Sequence, residues 1–208
     1  MLRAFGAGSD VTLVEARAKI GVPYDPADPS HAAELRIWLN KWTCRIRIPP
    51  DGEADLFVAN LADWWTATGT SLPDDSARLA GLTDHELVAI AAAYGSLAPR
   101  TAAVNRNGQF RSFGPTATAK LLYFLRPLAV TPWDKAISRH VPGVGEAAFL
   151  EHLRVCRAWA IDLIEEANAR GVDEDEIGPL VGRPLSSVAK LIDEWLYQTV
   201  TAGADRAP

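Results

Sequence analysis

Apolar residues recur at helical spacing along most of the chain. Leu35, Trp38, Leu39 and Trp42 form one such stripe and predict a helix over 31–42, with Ser30 as its N-cap. Leu56, Leu61, Trp64 and Trp65 predict another over 55–68. Thr83 followed three residues on by Glu86 is a capping-box pattern, and Leu87, Ile90, Ala91 and Tyr94 carry that helix to Gly95. Further helices are predicted over 10–20, capped by Asp10, and over 116–125, stopped by Arg126-Pro127. Pro132-Trp133-Asp134 opens a helix to about His140; the longest spans 146–170 and ends at Gly171, and the last spans 186–200.

Between these stripes the pattern breaks. Pro23, Pro26 and Pro29 keep their segment from being helical. Arg45-Ile46-Arg47-Ile48 alternates and reads as a short strand or extended piece, and Pro49-Pro50-Asp51-Gly52 as a turn. Residues 69–81 read as a loop, and the polar stretch 100–113 as partly loop. With little strand signal and mostly short connections, the expected fold class is all-α, a multi-helix bundle in a single domain over 1–201, with 202–208 a flexible tail. The seven tryptophans are read mostly as core.

Composition narrows the class. Hydrophobic residues make up 48% of 208, enough to build a core without disulfides or metals. Cys44 and Cys156 stand far apart in no metal or redox spacing, and His31, His85, His140 and His152 show no ligand spacing, so no metal and no cofactor is implied. No signal-peptide run opens the chain and no stretch reaches the roughly 18 apolar residues that cross a bilayer, so the expectation is a cytoplasmic protein with no membrane partner.

Charge is uneven. The net charge is −5, yet residues 97–140 carry Arg100, Arg106, Arg111, Lys120, Arg126, Lys135 and Arg139 against one acid, Asp134. Residues 51–86 carry eight acids against Arg78 alone, and Asp173-Glu174-Asp175-Glu176 is a second acidic block. A basic middle between acidic flanks predicts a face for a polyanion, unless folding scatters the charges.

Within the basic segment, Gly114 feeds a helix with small residues in its first turn, where unpaired N–H groups bind phosphate. Asp134 follows Thr116 by 18 residues, behind Pro132, at the start of the next helix. This stretch resembles the helix-hairpin-helix DNA glycosylase superfamily, in which a hairpin glycine leads into a helix and an essential Asp opens the next. The resemblance covers 106–140. Thr116 stands at the position of the lysine of bifunctional members, as a small or hydroxyl residue does in monofunctional ones. Ser112 replaces the first hairpin glycine, Lys135-Ala136 follows the Asp in place of the common Thr-His, and the four-cysteine iron–sulfur loop is missing.

The resemblance implies double-stranded DNA as partner and a monofunctional, metal-free base-excision activity. Asp134 would stabilise the developing oxocarbenium ion, and Lys120, one turn beyond Thr116, would reach the same cavity. Arg106, Arg111, Gly114, Thr116 and Lys135 would contact DNA, with Arg100 a further phosphate contact, and Tyr123 or Trp133 would stack on an extruded base. Two alternatives stay open. Asp134 is equally an N-cap, and the chain is equally a non-catalytic descendant that binds nucleic acid or protein.

Overall fold

The computed structural model describes residues 8–21, 23–139, 141, 143 and 145–202, without the side chains of Ser9, Lys135, Ala136, Thr201 and Ala202. The architecture is mostly helical with one two-stranded sheet. In chain order it runs α1 (Gly8–Ile20), α2 (Pro29–Lys41), α3 (Leu56–Thr68), α4 (Asp84–Leu97), β1 (Thr101–Val104), β2 (Phe110–Ser112), α5 (Gly114–Leu125), α6 (Lys135–Ser138), α7 (Gly145–Asn168), α8 (Glu174–Leu180) and α9 (Val188–Tyr197). Single 3₁₀ turns, Gly69–Ser71 and Leu79–Gly81, punctuate the link from α3 to α4.

α5 is the central helix. From Ala117 to Leu125 every residue except Lys120 is buried, the mark of a helix packed on all sides. Phe124 meets Trp38 of α2 at 5.0 Å between ring centres, and the Arg17 side chain of α1 donates to the Phe124 carbonyl at 2.8 Å. α7 lies along α4, where Tyr94 and Phe149 stack with ring centres 4.2 Å apart. Gly95 permits that approach, since a Cβ there would collide with the Glu146 side chain. The helix therefore runs through Gly95 to Leu97 instead of ending at the glycine.

Local capping explains most boundaries. The Thr83–Glu86 capping box opens α4 as its spacing predicts. α2 starts earlier than expected, because Asp28, not Ser30, is its cap: Asp28 accepts from the backbone of Ser30 and His31, and Pro29 fits the first turn, which needs no N–H. The acidic block is likewise a helix start. Asp173 and Glu176 form a capping box for α8, and Glu174 and Asp175 sit where the positive helix end favours them.

Three further expectations change. Asp10 is no cap; it lies inside α1 at 2% exposure and faces Arg183. Residues 45–48 join no sheet among the described residues, and Arg45 takes the left-handed conformation, φ 55°. The polar stretch 100–113 is a β-hairpin, with Val104 opposite Phe110 and Ala103 opposite Arg111. The tail expected over 202–208 lies, from 203, outside the described residues. Among the described residues no helix is long and apolar enough to cross a membrane.

Candidate functional site

The basic segment divides into an exposed part and an inward part. The exposed part is the hairpin. Asn107-Gly108 turns it, with Gly108 at φ 74°, a conformation that costs glycine little. The Asn105 carboxamide locks the turn from inside: its Oδ1 accepts from the backbone of Asn107 and Gln109, both at 2.9 Å. Side chains from the body hold β1. Arg47 donates to the Val104 carbonyl at 3.2 Å and Asn60 to the Thr101 carbonyl at 2.9 Å. Below, Ala102 and Phe113 are buried, the latter 5.1 Å from the Phe57 ring. β1 thus faces the protein, while Phe110, Arg111 and Ser112 of β2 are all exposed.

Arg106 at the turn and Arg111 on β2 are exposed, and Arg100 at the base is half-buried. Among the described residues none of the three forms an ion pair, whereas Arg17, Arg36, Arg47, Arg78 and Arg183 each face a carboxylate. Glu86 and Asp134 are the nearest acids in sequence on either side.

The inward part centres on Lys120. Its ammonium donates to the Trp42 carbonyl at 2.9 Å and lies 5.1 Å from the centre of the Trp42 ring, as does the ammonium of Lys190 from α9. Burial lowers the Lys120 pKa below the usual lysine value; Cys44, Asp193 and Asp134 oppose that shift and Lys190 adds to it. Lys190 contrasts with it. Burial alone would depress its pKa, but Asp193, paired at 2.5 Å, and Glu194 carry it above the usual value. Behind Lys190, Arg183 joins Glu194 to Asp10 with Nη2 at 2.6 Å from each, all three at 3% exposure or less. Burial raises the pKa of Glu194 and Arg183 opposes that rise. Arg126, also from the basic segment, turns inward to donate to the Pro73 and Leu125 carbonyls.

Asp134 stands half-buried before α6, and its Oδ1 accepts from the Ile137 backbone N–H at 2.9 Å. It is an N-cap whose charge is felt at both Lys120 and Asp193. The hydrogen bond of Lys120 goes to Trp42 and that of Asp134 to Ile137. α6 closes at Ser138, and His140 lies outside the described residues, as does the Lys135 side chain.

Other candidates sit elsewhere. Tyr123 is 2% exposed and Trp133 3%, so neither offers a face to a base. Trp133 packs among Tyr94, Phe149 and His152, with ring centres 5.2–5.8 Å away, and Tyr123 tilts against Trp42 at 6.2 Å. Both are core residues because α5 and the α4–α7 pair enclose them. Gly114 has φ 71°, but its N–H donates to the Ala98 carbonyl at 2.9 Å, so this amide ties α5 to the end of α4 and is not aimed at a phosphate. Ser112, in place of the first family glycine, ends strand β2. Thr116 is half-buried in the first turn of α5, one turn before Lys120.

Two features escaped the sequence reading. The Asn107-Gly108 pair is a strong hairpin-turn signal, and it would have exposed the strands on either side and Phe110 with them. The Arg183–Glu194–Asp10 network has no local signal, since Arg183 meets a residue 173 positions away. Compared with family models, curated proteins and solved structures, the chain matches none.

Proposed function

We propose that this is a nucleic-acid-binding protein that grips the phosphate backbone with the β1–β2 hairpin. One observation carries the reading: Arg106 and Arg111 are exposed and form no ion pair among the described residues, and they stand together on a ribbon anchored to the body, whereas Arg17, Arg36, Arg47 and Arg183 face carboxylates and the exposed Arg45 and Arg139 lie outside the hairpin. A guanidinium presented this way is a ready phosphate ligand, and each phosphate it neutralises releases counterions. The test is fluorescence anisotropy of a labelled 20-mer against KCl concentration. Replacing both residues, Arg106→Ala with Arg111→Ala, should lower affinity and reduce the slope of log K against log[salt] by about 2. Unchanged affinity and slope would remove the hairpin from the interface.

A second reading has its own support. Asp134 stands half-buried at the start of α6, where its carboxylate caps the helix, one of the positions that a glycosylase-like site would use. A carboxylate held beside a sugar that is becoming an oxocarbenium ion lowers the barrier to N-glycosidic cleavage. In this reading the chain is a monofunctional base-excision enzyme with Asp134 as its carboxylate. Incubation with a panel of damaged-base DNA duplexes compares the wild type with Asp134→Asn. Cleavage that survives undiminished in the variant eliminates this mechanism, and the non-catalytic binding module then stands alone.

A further inference from the structure

Phe110 is the most exposed large hydrophobic side chain among the described residues, at 73%. Phe57, Phe113, Phe124 and Phe149, the other described phenylalanines, are all buried. Among the described aromatic side chains only Trp195 and Tyr197 of α9 are also exposed, at 42% and 41%, so Phe110 stands out furthest, and its position is not slack. It directly follows the turn that Asn105 closes, and its partner Val104 has its carbonyl held by Arg47. The backbone is thus fixed before any ligand arrives, which limits the ordering cost of binding. Along the chain the ring is flanked by Arg106 in the turn and Arg111 next in the strand. The neighbouring turn residues Asn107 and Gln109 are polar and uncharged.

We infer that Phe110 is a stacking element, so that the hairpin takes nucleic acid where the base stack is open: a single strand, or a duplex interrupted by a gap. This rests on the nucleic-acid reading above and adds to it the state of the ligand. A continuous duplex offers a hairpin only phosphates and groove edges, and a phenyl ring at the contact gains little there. An open stack offers the flat face of a base. An aromatic ring covers that face with little dependence on sequence, and basic side chains on either side hold the flanking phosphates. The hairpin thus carries an exposed phenyl ring and two exposed guanidinium groups on one anchored ribbon. Strand alternation puts Arg111 on the opposite face from Phe110, so the charges serve the backbone on either side of the ribbon and the ring alone meets the base.

The experiment measures three labelled DNA probes by anisotropy at one salt concentration: a single-stranded 20-mer, a duplex with a one-nucleotide gap, and the continuous duplex. The proteins are wild type, Phe110→Ser and Phe110→Trp. Wild type should bind the two open probes about ten-fold more tightly than the continuous duplex. Phe110→Ser should lose that preference while keeping the wild-type affinity and salt slope for the duplex, and Phe110→Trp should retain it. A 2-aminopurine placed in the single strand should be quenched by wild type and not by Phe110→Ser. Because the ring is exposed, thermal melts of the three proteins should coincide, so a change in binding reports the interface. Equal binding of all probes by wild type and Phe110→Ser, with the arginine-dependent salt slope intact, overturns the stacking role alone. A wild-type chain that binds none of the probes overturns the reading on which it rests.

Discussion

Arg111 and Arg183 carry the same guanidinium into opposite situations. Arg183 is 3% exposed and shared between two buried carboxylates, Asp10 and Glu194. Arg111 stands on the outer strand of a two-stranded ribbon, exposed and without an ion pair among the described residues. The first charge is satisfied by the fold and ties α1, the 183–187 loop and α9 together. The second leaves its demand open to a partner. A formal balance of −5 hides this, because it sums paired and unpaired charges alike and says nothing of where they lie on the surface. Accessible unmatched charge is the better guide to binding.

The contrast can be broken at its buried end first. Arg183→Met leaves Asp10 and Glu194 enclosed without their cation and should cost about 3–5 kcal/mol of stability, read as a fall in the urea midpoint. Nucleic-acid affinity per folded molecule should not change. A variant as stable as wild type would show that the network is not what joins these elements.

The next effect is a pH dependence confined to the interior. Burial pushes the His152 pKa down to about 4, and Nε2 lies 3.2 Å from the Thr131 carbonyl. An unfolded histidine titrates near about 6.5. Between those values the unfolded chain binds the proton that the folded one refuses. The stability gained by keeping the ring neutral is therefore complete above pH 6.5 and is lost as pH falls toward 4, by up to about 3 kcal/mol. Denaturation of wild type and His152→Gln at pH 7 and pH 5 checks it: the wild type should lose more stability across that interval than the variant. Hairpin binding, which depends on arginines that do not titrate, should be flat between pH 6 and 8.

The smallest effect sharpens the other side of the comparison. Replacing Arg106 or Arg111 by Ala should move stability by no more than about 0.5 kcal/mol, since neither is buried or in an ion pair among the described residues. Thermal melting of the two single variants measures it. A larger loss would mean that these arginines serve the fold and are not kept for a ligand.

Legibility followed the range of the interaction. The helix over 146–170, the capping box at Thr83 and Glu86 and the stop at Gly171 were plain, because each depends on residues within a few positions. The hairpin was readable in principle from Asn107-Gly108, but polar composition masked short strands of which only the inner one is partly buried. The candidate site was legible only in part. Spacing placed Lys120 one turn beyond Thr116, but it did not reveal that the amine is held by the Trp42 carbonyl.

The sequence by itself determined a mainly helical chain, its principal helix starts and stops, and a segment from Glu86 to Asp134 with no acid between them. Tertiary structure alone decided which of that segment's charges remain available. Lys120 and Arg126 are turned inward while Arg106 and Arg111 are left outside. It also decided that Trp133 is core and Phe110 is surface. Local spacing sets backbone conformation through short-range hydrogen bonds and sterics. Burial and ion pairing depend on which distant surfaces meet, and residues as remote as Asp10 and Arg183 find each other only once the chain has packed.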